Sequence, residues 1–384
     1  MKKRKLKIKS ILVLFLVIAL ITFFIISLFK KNNNTLEKIG YNKLEIVEIE
    51  KLSKDELEII YNTSYNTNLV YMIKSDKYKS DKLNLYLKYT NTYKDTPYLK
   101  IMDLINNKDF KEDNIEKYIE CLNYITDIEK VIKFINEDST RKIDSTTLLL
   151  YSEKYYINDY LDRYLKYYEN HKSLDYKEII TRINSNLDYE FYTDSNKSDL
   201  SKGMYTLVNK YNYLESNYVP DDLVTITGKY ARDSAKLVSI AYENFTKMAD
   251  DMSNLGMTIK ITTGYRSYSF QSTLYNNYVK SDGVKKADTY SARPGYSEHQ
   301  LGYSADLTNK QLVSFGEFEN TKEYNWLKEN AHKYGFILRY PKDKEYITGY
   351  QFESWHYRYV GVDIATYIYE NDITYEEYYA YFLR

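Results

Sequence analysis

Eleven of the twelve glycines in this 384-residue chain lie after residue 200, and the stretch from residue 32 to about 200 holds only Gly40 and Pro97. Glycine supplies the positive φ angles that tight turns demand, so a long polar tract nearly free of glycine and proline favours helices over strand-and-turn structure. Apolar residues in that tract recur at three and four spacing, as in Ile101, Leu104, Ile105 and Ile179, Ile180, Ile183, the period of a helix face. A self-comparison adds a repeat. Tyr86-Leu87-Lys88-Tyr89, with Lys94, Tyr98, Ile101, Ile105 and Asn106, returns 78 positions later as Tyr164-Leu165-Lys166-Tyr167, with Lys172, Tyr176, Ile179, Ile183 and Asn184. Residues 32–200 are therefore expected to be an all-helical, duplicated spacer.

The glycines from Gly203 to Gly361 punctuate shorter elements. Periodicity predicts a helix over about 231–253, with Leu237, Val238, Ala241, Phe245, Met248 and Met252 on one face, and a strand at 258–263. A helix follows at 268–280, a strand near 303–307, a helix at 322–334, and strands near 336–339 and 352–360. Helices and strands mixed without βαβ regularity indicate an α+β domain over 201–384.

Lys plus Arg equals Asp plus Glu at 54 each, yet residues 1–31 carry eight basic residues and no acid, which leaves the remainder at a net charge of −8. That distribution argues against a nucleic-acid protein built on phosphate neutralisation. The basic residues flank an uncharged, apolar run from Ile11 to Phe29, which as a helix would reach roughly 29 Å at 1.5 Å per residue and match a bilayer core of about 30 Å. Six positive charges precede it and two follow. The expectation is an uncleaved single-pass anchor in the cell membrane, with residues 1–31 as flank and transmembrane helix, the N-terminus cytoplasmic and the rest outside. A cleaved signal peptide is the alternative, but the exit from the apolar run lacks a small-residue cleavage site.

One cysteine, Cys121, excludes an internal disulfide framework, and its helical setting reads as a buried structural thiol. Only four histidines are present. His171 falls inside the repeat and His332 near a helix end, where imidazoles are structural. The other two lie in the most distinctive local sequences: Ser297-Glu298-His299-Gln300-Leu301-Gly302-Tyr303-Ser304-Ala305-Asp306 and Glu353-Ser354-Trp355-His356-Tyr357-Arg358-Tyr359-Val360. His299 and Asp306 are too far apart for one helical turn and converge only if a turn at Gly302 feeds a strand presenting Asp306. In the second segment alternation indicates a strand with His356 and Arg358 on one face. Two imidazoles and a carboxylate are three ligands for a first-row metal, which leaves tetrahedral Zn²⁺ a fourth position for water. A carboxylate beside the metal, but not on it, must move the proton, and Glu353 is the candidate.

These two segments together resemble the D-alanyl-D-alanine carboxypeptidase family of zinc peptidases typified by VanY, whose fold is shared with the peptidase-like domain of Hedgehog proteins. The resemblance covers about residues 205–370, including Tyr218-Val219-Pro220-Asp221-Asp222-Leu223 and Gly264-Tyr265-Arg266-Ser267. It implies one Zn²⁺ held by His299, Asp306 and His356, Glu353 as general base, and Arg266 neutralising charge on the substrate carbonyl. It further implies that Gln271, Ser297 and Tyr340 contact the peptide end. The implied activity is removal of a C-terminal D-amino acid, D-Ala above all, from peptidoglycan stem peptides outside the cell. The alternatives are a peptidoglycan endopeptidase using the same site and a zinc-containing wall-binding module without turnover; the presence of Glu353 and Arg266 speaks against the latter.

Overall fold

A computed structural model of the protein describes residues 17–22, 35–138 and 143–384. The chain forms two compact units, Met1–Ser152 and Glu153–Arg384. The packing boundary thus falls well before the compositional one at 200/201. Glycine content reports turn chemistry, whereas membership of a unit depends on which side chains share a core. The Tyr155 ring stacks on Tyr381 at 3.6 Å, Thr181 and Tyr381 hydroxyls meet at 2.9 Å, and Arg384 donates to the Asn184 carbonyl. Most of the apolar run 11–29, on which the anchor was read, lies outside the described residues. Residues 17–22 are helical and exposed. Among the described residues no helix is long and apolar enough to cross a membrane.

The repeat read from the sequence folds as helix pairs with one recurring polar clamp. In the first copy, helices Leu83–Thr92 and Tyr98–Asn106 are joined by Tyr86 Oη donating to Asn106 Oδ1, while Asn106 Nδ2 donates to the Lys77 carbonyl. Helices Leu161–Asn170 and Tyr176–Asn184 repeat it: Tyr164 Oη donates to Asn184 Oδ1 at 2.6 Å, and Asn184 Nδ2 donates to the Tyr155 carbonyl. A third copy escaped the sequence comparison. Helices Ile115–Cys121 and Ile128–Glu137 carry Tyr118 on Asn136 at 2.6 Å and Asn136 on the Asp109 carbonyl. Tyrosine and asparagine are 18 residues apart there and 20 in the other copies, so an ungapped comparison loses the register. The clamp satisfies the polar ends of side chains whose rings are buried: Tyr86, Tyr118 and Tyr164 are all 0% exposed.

The C-terminal unit contains all eight strands of the described residues. A two-residue parallel pair joins β1 (Asn196–Lys197) to β2 (Asn212–Tyr213), and β3 (Leu223–Ile226) pairs antiparallel with β4 (Ala235–Val238). The remaining strands, β5 (Ile259–Thr263), β6 (Ser304–Asn309), β7 (Phe336–Leu338) and β8 (His356–Tyr359), form one antiparallel sheet in the order β5-β6-β8-β7. The helix read from residue 231 begins only at Ser239 and runs to Asn254. Residues 235–238 pair with β3 instead, a tertiary contact that helical periodicity cannot anticipate. The strand read over 352–360 narrows to His356–Tyr359, and the helix at 322–334 is helical to Asn330 and then tightens into a 3-10 turn.

One face of the sheet carries the core. Ile259, Ile261, Ala305, Leu307, Tyr357 and Tyr359 pack with Phe245, Met248 and Met252 of helix Ser239–Asn254. Full burial of side chains of this size is worth roughly 1.5–3 kcal/mol each, which anchors the two central strands, β6 and β8. The candidate site is built on those strands.

Candidate active site

Register alone brings two of the site residues together. Asp306 on β6 stands directly opposite His356 on β8, and the two side chains meet at 3.2 Å between Oδ1 and His356 Nδ1. His299 arrives from the 3-10 turn Glu298–Leu301, which ends at Gly302 and leads into β6. Its Nε2 lies 3.3 Å from Asp306 Oδ2. His299 Nδ1 meets the Gly264 carbonyl at 2.7 Å, so that nitrogen carries the proton and Nε2 presents its lone pair to the site. Gly264 is required by close approach: a Cβ there would stand 2.1 Å from the Lys236 carbonyl oxygen.

The ligand atoms of His299, Asp306 and His356 all lie within 4.8 Å of one another, and all three residues are buried. Among the described residues Asp306 Oδ1 accepts no well-aligned hydrogen bond and faces only His356 Nδ1, at 3.2 Å, a state of a buried carboxylate oxygen that a bound cation would relieve. The donor set therefore fits a single small divalent metal. Around His356, Asp306, Glu298 and Glu353 outweigh the cost of burial and push the imidazole up to about 9. Burial instead draws His299 below its ordinary value.

Glu353 sits three residues before His356, its Oε2 3.5 Å from His356 Nδ1, and no side-chain hydrogen bond of the described residues occupies it. Burial pushes its carboxyl up to about 8, against the opposing pull of His356. Arg266 leaves the end of β5 with its backbone N–H on the His299 carbonyl at 3.1 Å. Its Nη1 donates to Gln271 Oε1 at 2.8 Å, its Nη2 lies 3.4 Å from Asp306 Oδ2, and its Nε is unpaired.

These groups line a cavity of about 230 Å³, together with Ser297 and Tyr340. Tyr340 lies with its ring 4.9 Å from His356, and Phe315 stacks on Trp355 at 4.9 Å along another wall. Gln271 is placed differently from expectation. It is 1% exposed and does not line the cavity: its amide is used up between Arg266 and the Ala292 carbonyl at 2.7 Å. It thus orients the arginine from behind.

A buried ionic cluster was invisible in the sequence. Glu298, 1% exposed, lies with Oε2 3.8 Å from His356 Nε2 and Oε1 2.9 Å from Arg339 Nε and 3.6 Å from Arg358 Nη1. Arg339 also grips both carboxylate oxygens of Glu376, at 2.8 and 2.6 Å. Burial alone would raise the Glu298 carboxyl, but the two guanidinium groups hold it well below the usual carboxylate range. Glu298 sits inside the first distinctive segment, yet only the arginines from β8 and from the residue after β7 give an acid there a reason to be buried. The remaining histidines are structural: His171 stacks on Tyr167 at 3.9 Å and His332 on Tyr369 at 4.0 Å.

Three side chains that could hold a metal while leaving its remaining positions to solvent and substrate suit a catalytic centre rather than a structural one, and the Glu353 carboxylate beside them, which accepts no side-chain hydrogen bond among the described residues, is the group that metal-dependent hydrolysis requires. Comparison with known proteins makes the class specific. Residues 234–362 match the VanY D-alanyl-D-alanine carboxypeptidase family. The YodJ protein of Bacillus subtilis is 36% identical over 227 residues, covering 54% of this chain and 81% of that protein. VanXYC of Enterococcus gallinarum, a bifunctional D-Ala-D-Ala dipeptidase and D-Ala-D-Ala carboxypeptidase, is 31% identical over 46% of this chain and 93% of its own length. Among solved structures, a variant of the vancomycin-resistance D,D-pentapeptidase VanY in complex with Zn(II) is 33% identical, covering 46% of this chain and 98% of that one with a TM-score of 0.40. The chain belongs to the VanY family and is an enzyme of carboxypeptidase type.

Proposed function

We propose that the protein is a zinc carboxypeptidase that removes a C-terminal D-amino acid, D-Ala above all, from peptidoglycan stem peptides on the outer side of the cell membrane. The observation that carries this reading is the convergence of His299, Asp306 and His356 beside a carboxylate, Glu353, that lies 3.5 Å from His356 and accepts no side-chain hydrogen bond among the described residues. Two imidazoles and one carboxylate suit Zn²⁺. Bound there, the metal would supply Lewis acidity toward the scissile carbonyl and lower the pKa of a water molecule.

The chain's own residues do the rest. Glu353 accepts the proton released as water attacks the carbonyl and returns it to the leaving amine. Arg266, held by Gln271 and always charged, faces the oxygen on which negative charge develops. His299 is fixed in one tautomer by Gly264. Phe315 and Trp355 exclude water from one side of the cavity. The outward location is supported by the apolar run 11–29 with its six preceding positive charges.

The test is metal analysis of the purified chain followed by incubation with defined tetrapeptide, pentapeptide and cross-linked muropeptides, with products weighed by mass spectrometry. One zinc per chain and release of a single C-terminal D-amino acid are expected. Release from cross-linked dimers alone would replace the reading with an endopeptidase, and zinc binding without any hydrolysis would reduce it to a wall-binding module.

A further inference from the structure

One buried cation has no part in the chemistry above. Lys210 is 3% exposed, and among the described residues it forms no ion pair: its Nζ donates to the Asp288 carbonyl at 2.6 Å and to the Gly349 carbonyl. The ammonium also faces the rings of Phe191 and Tyr350 at 4.6 and 4.4 Å. The nearby Asp288 carboxylate is already held by Arg293 at 2.8 Å and Tyr275 at 2.7 Å.

The two carbonyls belong to two different walls of the cavity. Asp288 leads into Ser291 and Ala292, and Gly349 leads into Tyr350, Gln351 and Glu353, all of which line it. A second tie joins the same walls, the Gln351 N–H on the Thr289 carbonyl at 2.9 Å. The fit around the lysine is close. Gly349 has φ +77°, and a Cβ there would stand 2.8 Å from the Phe191 ring and 2.9 Å from Lys210 Cδ, so only glycine lets this backbone reach the amine.

We propose that Lys210, outside the matched residues 234–362, is a positioning residue whose ammonium bridges the two walls of the cavity and sets the width of the cleft that receives the peptide end. This rests on the carboxypeptidase reading. An ammonium offers three donors and strong charge-assisted bonds. A thioether of similar length fills the space but offers no donor, which leaves the two carbonyls unpaired and the walls held only by Gln351.

The test compares wild type with Lys210→Met as full chains loaded with zinc, on a short D-Ala-D-Ala-terminated peptide. The expected result is unchanged zinc content, kcat within about threefold, and KM raised about tenfold, the signature of lost ground-state positioning. Amide exchange provides a readout independent of turnover: Gln351 should exchange at least about tenfold faster in the variant while Leu307 on β6 is unchanged. Wild-type KM together with unchanged Gln351 exchange overturns the proposal. If wild type hydrolyses no D-Ala-terminated peptide, the carboxypeptidase reading fails and the exchange comparison alone decides the role of Lys210. Should the variant not fold, wild type still answers. The Gln351 amide and the Tyr192 amide, which donates to the Lys210 carbonyl at 3.1 Å, should open together at one rate. Gln351 opening independently, about tenfold or more faster than Tyr192, overturns the bridge.

Discussion

Replacing Arg339 with methionine tests how the active site is supported from beneath. Arg339 is 1% exposed and holds two carboxylates at once, Glu298 through Nε and Glu376 through both terminal nitrogens. After the substitution Glu298 still has Arg358 at 3.6 Å, but among the described residues Glu376 is left with the Asn209 amide at 3.4 Å. Removing one partner of a buried ion pair costs about 3–5 kcal/mol, because the other charge stays buried without compensation. In a unit of this size about 4 kcal/mol corresponds to a fall in Tm on the order of 8–16 °C. Both tryptophans of the chain, Trp326 and Trp355, lie in the C-terminal unit. Their fluorescence in urea therefore follows this unit without interference from the helical one, where a single two-state fit to the whole chain would not hold. The structure also predicts which second change rescues. Glu376→Gln added to Arg339→Met should recover most of the loss, whereas Glu298→Gln should recover little, since Glu298 keeps Arg358. A loss below about 1 kcal/mol for the single variant, or equal rescue by both glutamines, would refute the reasoning.

Four further outcomes follow from the site and the cores. Glu353→Gln should keep one zinc per chain by metal analysis while peptide hydrolysis falls by roughly 10²–10⁴, the usual contribution of a positioned acid–base; wild-type turnover would sink the mechanism. Burial lowers the Lys210 amine from 10.5 to about 8, so the unfolded chain binds more protons between those values and stability should rise with pH across that window. Lys210→Met should flatten this rise in urea titrations, and an unchanged slope would count against it. Gly349→Ala should destabilise the C-terminal unit by about 1–3 kcal/mol, from a left-handed backbone angle combined with contact on Phe191; tryptophan-detected unfolding measures it. Cys121 is fully buried and its thiol is pushed up to about 12 by burial, so alkylation should occur only as the helical unit opens; rapid labelling under native conditions would contradict this packing.

How far the sequence reached varies with the kind of interaction concerned. The α+β character of the C-terminal region, its sheet strands within a few residues, and the grouping of His299, Asp306, His356 and Glu353 were legible because they depend on local patterns: glycine-bounded strands, alternation, and rare residue types in dense motifs. The helical repeat was legible where its spacing was constant and hidden in the copy around Tyr118, where two residues are missing between tyrosine and asparagine, while the clamp that the repeat carries emerged only in the fold. For Gln271 the residue type was legible but its partners were not: a helix turns the amide toward Arg266 and the Ala292 carbonyl.

By itself, then, the sequence determined the donor set and the elements that carry it, since ligand chemistry and hydrophobic period are properties of residue type and order. Only the tertiary structure decided the register that faces Asp306 with His356, the burial of Glu298 between two arginines, and the meeting of Lys210 with two walls of the cavity. Each of those joins residues from distant parts of the chain, and each depends on a cation or a strand partner that only the folded unit brings into place. Local order specifies which groups are available; burial in a shared core specifies which of them meet, and at what charge.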